Sequence, residues 1–564
     1  MIQTNKWQKL LGFGTFLLAV TAVMSYLWGD LLLVEMQSDV ADTLLWAEAV
    51  YNSGSLVDPA HFYPYVIPFG GQLLMVPFYH FFGFSLTTLR LGMTVFFMLL
   101  SSLLVLFFRR VVTPSLPGSL FGAGCVLMLF LNNKKLREIM YAHVIYYSLA
   151  IVFTLLLLIV LSWLWDPSAD RKKKLAAYVC LCSTCFFCAG NGLVVVLFSL
   201  APGGLAFLLE RMIQVWVLKQ PYRQFREDLR LCLTVLVSAL VGLGAYFLIS
   251  SQVDSSYAQN YFEFQGPSLW FANFRQTVIQ WMFVLFQPEL FSDAAAAAST
   301  GAYGKLLGKV QGGFLMGSAL FLLVLTFLRY RKLESTIQRV TVLYFWVVSL
   351  LTVGLYIFTP LNTNSWRMVP MLFAMFLCYS VLLPGMFAQA GFQRVTAAVL
   401  SGFLIFCAVH AGVGTLFADR NTDCWYGEDS YINVLLQKGV TTGYSNHYDI
   451  CNAVRLLSHG QIDMQCVMTF SNVAHPALYQ NYIEDFRPTE EGKYFVLIMD
   501  SAYYPPMEGY TERYDGVGYF PSFRSDQDRY LEYTIYFFEH YPLEDNGVIT
   551  PNGKWIDLKE YFEN

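Results

Sequence analysis

Charge is the scarcest feature of this chain of 564 residues: Asp, Glu, Lys and Arg make up only 13% of it. A soluble protein carries roughly 25%, so a single soluble globule is excluded. The 56% apolar and 17% aromatic content excludes a disordered chain as well. Several motifs are missing. There is no Walker A sequence, no GxGxxG after a strand, no HExxH and no GxSxG elbow, so neither a nucleotide-driven pump nor a soluble-type hydrolase is indicated. The eleven cysteines do not make a secreted disulfide framework, because eight lie in the apolar first 416 residues. Among them Cys180, Cys182, Cys185 and Cys188 have metal-like spacing, with packing of small side chains as the plainer reading. Cys424, Cys451 and Cys466 allow one disulfide and leave a remainder.

What is present instead is a series of long apolar blocks. A crossing helix needs about 20 apolar residues, since only internal backbone hydrogen bonds can be satisfied in hydrocarbon. About eleven blocks qualify: Leu10 to about Trp28, then 86–108, 116–132, 143–165, 175–190, 193–209, 231–250, 311–328, 340–358, 367–388 and 395–416. The first reads as an uncleaved anchor, because its apolar run continues through Leu31–Val34. Asn191-Gly192 divides the fifth from the sixth, where one long helix is the alternative. Pro68–Phe82 is apolar but broken by two prolines and two glycines, and reads as interfacial or re-entrant. A surface helix is expected around Ser268–Phe286, in a long loop 251–310 that also holds the run Ala294–Ala298.

Lys and Arg stay on the cytoplasmic side. With the N-terminus inside, the inner segments hold eighteen of them and the outer loops seven. This implies a multi-pass plasma-membrane protein with a cytoplasmic N-terminus and everything after about residue 417 outside. The tail, 417–564, carries 23 acidic against 10 basic residues. Its runs Val434–Gln437 and Ala453–Leu457 read as helical and Tyr494–Met499 as a strand. Two domains are therefore expected: a transmembrane unit, 1–416, and an extracytoplasmic α/β domain, 417–564.

Charged groups at the membrane edge are costly and tend to be functional. The first outer loop holds Glu35, Asp39, Asp42 and Glu48, with Asp39, Asp42 and Trp46 at helical spacing on one face. A carboxylate fixed there could accept a hydroxyl proton or bind a divalent metal. Helix capping by Asp39 beside a solvated acidic face is the alternative. Lys134, Lys135 and Arg137 run against the inside preference of cations, in a loop that also contains Glu138 and His143. An anionic lipid headgroup would explain them. Arg367, at the outer start of a late span, can grip phosphate in a bidentate way, with a Trp366–Arg367 interfacial anchor as the alternative. His143, near Tyr146 and Tyr147, also fits an interfacial aromatic belt.

Three segments give this arrangement a family likeness. They are Gln37-Ser-Asp39-Val-Ala-Asp42 directly after the first span, the aromatic run Tyr63-Pro-Tyr-Val-Ile-Pro68-Phe-Gly-Gly leading to Phe82-Gly83-Phe-Ser-Leu-Thr-Thr-Leu-Arg90, and Trp366-Arg367-Met-Val-Pro370. The tail segment Gly439-Val-Thr-Thr-Gly443-Tyr444 adds to it. The chain resembles the GT-C superfamily of membrane glycosyltransferases, which includes protein O-mannosyltransferases and lipid A aminoarabinose transferases. The resemblance implies a GT-C-like polytopic helical fold and transfer of a sugar from a polyprenyl-phosphate donor to a glycan, lipid or protein acceptor at the outer face. It puts the general base on Asp39, with Asp42 in reserve. The phosphate-binding cations would be Arg367 and Lys134, Lys135 or Arg137. Glu138 and His143 are grouped with them as substrate-binding candidates. Asp39 and Asp42 are three apart and form no DxD pair, so no metal or other cofactor is expected, although a divalent metal would fit. A nucleic acid is not among the expected partners. A transporter or flippase of lipid-linked sugars and a non-catalytic cell-envelope scaffold are the alternatives. Spans nearly free of charge away from their ends count against the first of these.

Overall fold

The computed structural model describes residues 6–219, 225–255, 263–285, 302–418, 420, 431–446, 448–470, 473–478, 480–487, 493–500, 516–524, 530–538, 543, 547–549 and 555–563. The chain is a polytopic α-helical membrane protein. Its first half contains α1 (Lys6–Trp28), α2 (Leu31–Val34), α3 (Ser38–Ser53), α4 (Gln72–Phe82), α5 (Leu86–Phe107), α6 (Leu116–Leu129), α7 (Lys134–Arg137), α8 (Tyr146–Leu164) and α9 (Arg171–Ala189). Next come α10 (Leu193–Phe198), α11 (Leu200–Met212), α12 (Phe225–Ser250), α13 (Pro267–Leu285), α14 (Ala302–Arg329), α15 (Thr336–Phe358), α16 (Val369–Phe387) and α17 (Phe392–Leu416).

Every one of the eleven apolar blocks is helical. Nine helical stretches among the described residues are long and apolar enough to cross a membrane. The two that fall short are α6, with 14 residues, and α9. Helix α9 opens on Arg171, Lys172, Lys173 and Lys174 behind an Asp170 cap that accepts from Lys173 N at 2.8 Å. Between α9 and α10 the chain turns at Gly192, whose φ of 94° suits glycine. The adjacent Asn191 amide clasps Phe69 N at 2.8 Å and Phe187 O at 2.9 Å. Two elements therefore stand where one long helix was the alternative. The break between α10 and α11 is caused by Pro202, which has no N–H to offer the Phe198 carbonyl. Tyr344 on α15 donates to that carbonyl instead, at 2.6 Å.

Helix packing uses small residues where backbones meet. Gly12 of α1 lies so close to Pro117 of α6 that a Cβ would stand 2.2 Å from the Pro117 carbonyl oxygen. At one end of the bundle Arg110 pairs with Asp166 at 3.1 Å and Arg339 with buried Glu210 at 2.9 Å. The loops carrying residues 35–42, 132–143 and 359–368 gather at the other end. The segment read as interfacial or re-entrant is a turn at 68–71 followed by α4, packed against α3 and α5. The expected surface helix is α13, which packs against α15. Ala294–Ala298 lies outside the described residues.

The tail contains a six-stranded sheet made of β1 (Val440–Ser445), β2 (Asp463–Phe470), β3 (Val473–Pro476), β4 (Lys493–Asp500), β5 (Gly516–Arg524) and β6 (Tyr530–Phe538). Its order is β3-β2-β1-β4-β6-β5. Strand β1 runs parallel to β2 and β4, and the remaining pairs are antiparallel. The crossover helix Tyr448–Leu457 packs on α3, so one buried apolar cluster runs without a break from the bundle into the tail. Cys451 and Cys466 are free thiols, and Cys424 lies outside the described residues.

Candidate functional site

Helix α3 is the platform of the site. Its N-cap is Gln37, in extended backbone, and the Gln37 amide donates to the Glu138 carboxylate across the bundle. Asp39 therefore does not cap. It sits in the first turn, where the helix dipole favours an anion. Asp42, one turn on, is buried, and so is Trp46, whose Nε1 donates to Gln480 of the tail at 2.8 Å. The four carboxylates of this loop are not a solvated acidic face. Glu35 pairs with Arg137, Asp39 with Lys135 and Glu48 with Arg455, while Asp42 lies beside His143.

The second loop is held by its two asparagines. Asn132 and Asn133 donate to the carbonyls of Leu285 and Val284 at 2.8 and 2.9 Å. The Asn133 oxygen also accepts from Leu136 N at 2.9 Å, which starts α7. A π-helical turn, Glu138–Ala142, follows and closes with His143 N on Glu138 O at 2.7 Å. Such bulges re-aim side chains, and here Glu138 and His143 point the same way. Lys135 Nζ lies 2.6 Å from Glu138, 3.4 Å from Asp39 and 4.5 Å above the Trp366 ring. Arg137 is committed to Glu35 through Nε at 3.0 Å and to Leu131 O at 2.8 Å.

These residues enclose a polar cavity of about 60 Å³, lined by Asp39, Asp42, Lys135, Glu138, His143 and Trp366 together with Tyr65 and Tyr146. A second, mainly apolar cavity of about 340 Å³ adjoins it and has Tyr65 and Tyr146 in its wall too. The two rings meet edge to face, 5.1 Å apart. Among the described residues, Arg367 is the one charged residue lining the larger cavity. It follows Trp366 of the polar cavity in sequence, so the short turn Ser365–Met368 presents one residue to each. Arg367 Nη1 donates to Leu361 O at 2.7 Å, which fixes its stem.

The tail closes over the far side of α3. Ser38 Oγ accepts from Asn452 N at 3.0 Å, Arg455 reaches Glu48 at 3.2 Å, and Phe62 exchanges backbone hydrogen bonds with Asn481 and Gln480. Burial, with Arg455 nearby, pushes the His61 imidazole down to about 3. Burial and the Asp463 charge push the Asp485 carboxyl up to about 7.

The fold thus brings Asp39, Asp42, Lys135, Glu138 and His143 into one pocket and Arg367 into the next. Lys134 and Arg137 line neither cavity. His143 is a buried pocket residue. The four cysteines of α9 form no metal-type cluster, and the Cys188 thiol lies 3.0 Å from Ser199 Oγ. Sequence reasoning gave no pocket role to Tyr65, Trp366, Asn191 or Tyr356. The signal for Tyr65 was the aromatic run Tyr63–Phe69 and that for Trp366 the Trp–Arg pair.

No family model and no curated protein matches the chain. Solved structures do. ArnT from Cupriavidus metallidurans bound to undecaprenyl phosphate is 13% identical, with a TM-score of 0.50 over 92% of this chain and 97% of that one. The same enzyme in its apo state is 14% identical over the same shares, again at 0.50. At these identities the likeness is one of fold, and that fold is GT-C, the architecture of an aminoarabinose transferase.

Proposed function

Proceeding from the GT-C fold, we propose that this protein is a glycosyltransferase that moves a sugar from a polyprenyl-phosphate donor to an acceptor at the outer membrane face. One observation carries the reading: a polar pocket holding Asp39 shares a tyrosine wall with a larger apolar cavity lined by Arg367. A polyprenyl phosphate has the same two halves, a hydrocarbon chain and an anionic head. The ligand in the ArnT structure is of this class. In the transfer the acceptor hydroxyl attacks the anomeric carbon and its proton passes to Asp39. The bond from that carbon to the phosphate oxygen breaks, and the departing charge is met by Arg367 and Lys135. Asp42, buried beside His143, is the reserve carboxylate. The tail docks on the first outer loop, so both lie on one side of the membrane, which we take to be the outside from the distribution of Lys and Arg. The acidic tail favours a neutral or basic acceptor.

A transfer assay with polyprenyl-phosphate sugars tests this on the full chain and on Asp39→Asn. Loss of a general base lowers turnover by about 10²–10⁴-fold. Equal turnover by both proteins would remove Asp39 from the mechanism. No turnover with any donor would remove the transferase reading.

A further inference from the structure

At the bundle end opposite the two pockets, a buried cation stands without an ion-pair partner among the described residues. Arg329, the last residue of α14, is 5% exposed, and its Nε and Nη1 are buried without a hydrogen-bond partner. The buried acids of this end are taken: Glu210 pairs with Arg339 at 2.9 Å and Asp228 with Arg211 at 2.8 Å. The guanidinium fills the space that Gly385 of α16 leaves, since a side chain there would collide with Nη2. The C-terminal ends of α14 and α16 offer it partial negative charge, which does not offset the burial of a whole charge. A held guanidinium with open donors matches a pair of acceptor oxygens, as a phosphate presents them.

An apolar cavity of about 450 Å³ supplies an independent sign. Its wall includes Leu11 of α1, Phe108 after α5, Val126 of α6, Pro384 and Phe387 of α16 and Leu404 of α17, and among the described residues none that lines it is charged. Pro384 is the chain neighbour of Gly385, on which Arg329 rests. Tyr379, also in the wall, donates to Ser318 O of α14 at 2.5 Å, which fastens the helix carrying Arg329 to the helix that walls the cavity. Leu11 and Phe387 are exposed, so the cavity opens toward the bilayer. An apolar space there takes up hydrocarbon rather than water. Exposed cations surround this end: Lys9 two residues before Leu11, Arg109 next to Phe108, and Arg331 and Lys332 just after Arg329.

We propose that this end of the bundle is a binding site for an anionic phospholipid, with the lipid phosphate on Arg329 and an acyl chain in the cavity. A charged head and a hydrocarbon tail in one molecule match an unpaired guanidinium beside an apolar space, whereas a soluble anion matches only the first. The surrounding exposed cations select an anionic lipid over a zwitterionic one, because each adds attraction to a negative headgroup. The lipid comes from the leaflet at this end, the inner one by the distribution of Lys and Arg. The site stands at the opposite end of the bundle from Asp39 and Arg367 and does not depend on the transferase reading. A lipid that binds only the folded chain stabilises it by mass action.

The test compares the full chain in nanodiscs of phosphatidylcholine alone and of phosphatidylcholine mixed with phosphatidylglycerol. Melting temperature is one readout, and the other is the immobilised fraction of spin-labelled phosphatidylglycerol or phosphatidylcholine by electron paramagnetic resonance. One slowly exchanging phosphatidylglycerol per chain is expected, preferred over phosphatidylcholine by about tenfold or more. Arg329→Met should abolish that preference. Because it removes an unpaired buried charge, it should melt no lower than the natural chain in phosphatidylcholine alone, and it should lose the rise that phosphatidylglycerol gives the natural chain. Ser401→Leu narrows the cavity from α17, leaves every cation in place and should cut the immobilised fraction by about tenfold. The proposal is overturned if the natural chain holds the two lipids equally, or if folded Arg329→Met keeps the preference. Should Arg329→Met not fold, Ser401→Leu decides alone, and an unchanged immobilised fraction overturns the proposal. It is also overturned if inorganic phosphate raises the melting temperature in phosphatidylcholine as much as phosphatidylglycerol does, since the ligand is then a soluble anion.

Discussion

Replacing Arg455 by Met tests whether the tail holds helix α3 in place. Arg455 clasps Glu48 of α3 twice, Nη1 to Oε2 at 3.2 Å and Nη2 to Oε1 at 3.3 Å. It also reaches Asp463 at 3.5 Å and lies 4.6 Å above the Phe84 ring. The side chains are 25% exposed for Arg455, 14% for Glu48 and 41% for Asp463. Breaking a fully buried pair costs about 3–5 kcal/mol, and a surface pair is worth about 0–1 kcal/mol. Glu48 is near the buried limit and Asp463 near the exposed one, so the contact to Glu48 dominates at about 2 kcal/mol. The ring contact adds about 0.5–1 kcal/mol. Methionine keeps the apolar stem against Phe84 and removes the charge. A loss of about 2–3 kcal/mol raises local opening roughly 30- to 150-fold. Hydrogen exchange of the helix Tyr448–Leu457 reads this directly. A cycle with Glu48→Gln should return a coupling of about 1 kcal/mol or more, and a value below about 0.3 kcal/mol would refute the reasoning. Asp39 and Asp42 ride on the same helix, so turnover should fall in step with the opening.

The same seam has an offset pH response. His61 is held neutral down to about 3, so its contribution is present above its ordinary value near 6.5 and is lost as pH falls from there toward 3. Asp485 is raised to about 7, so its contribution is present below its ordinary value near 3.9 and is lost as pH rises toward 7. The two oppose each other between about pH 4 and 6.5. Asp485→Asn should therefore expose a seam that weakens by about 1.4 kcal/mol per pH unit below 6.5, measurable by exchange at several pH values, and a flat profile in the variant counts against the His61 assignment. Arg137→Met strands Glu35, whose side chain is only 9% exposed, and should cost about 3–5 kcal/mol in thermal unfolding. Adding Glu35→Gln should restore most of that loss, whereas a double variant as unstable as the single one would show that packing, not charge, was at stake. Arg367→Gln should raise KM for a polyprenyl-phosphate donor by about 10- to 100-fold through loss of a charged hydrogen bond, and an unchanged KM with reduced kcat would place Arg367 away from donor binding.

Hydrophobic length and turn chemistry are local properties, and they were readable one segment at a time. All eleven apolar blocks became helices, the division at Asn191-Gly192 was where the chain turns, and α13 and the helix Tyr448–Leu457 fell where their patterns placed them. Asp39 and Arg367 were legible because charge at a membrane edge is costly wherever the chain goes. Span count was less legible. A four-cation first turn on α9 and a 14-residue α6 satisfy the apolar pattern without the length or purity of a lone crossing helix.

Partnership was the tertiary structure's decision. Nothing in sequence spacing says that Glu35 belongs to Arg137 or Glu48 to Arg455, across separations of 102 and 407 residues. Nor could spacing show that a π-helical turn swings Glu138 and His143 onto Asp39, or that Tyr65 and Tyr146 stand between a polar and an apolar cavity. The pattern of residues fixes what each segment can bury. Which charge answers which depends on helices meeting in space, and the free energy of a buried ion is set by its neighbours there rather than by its place along the chain.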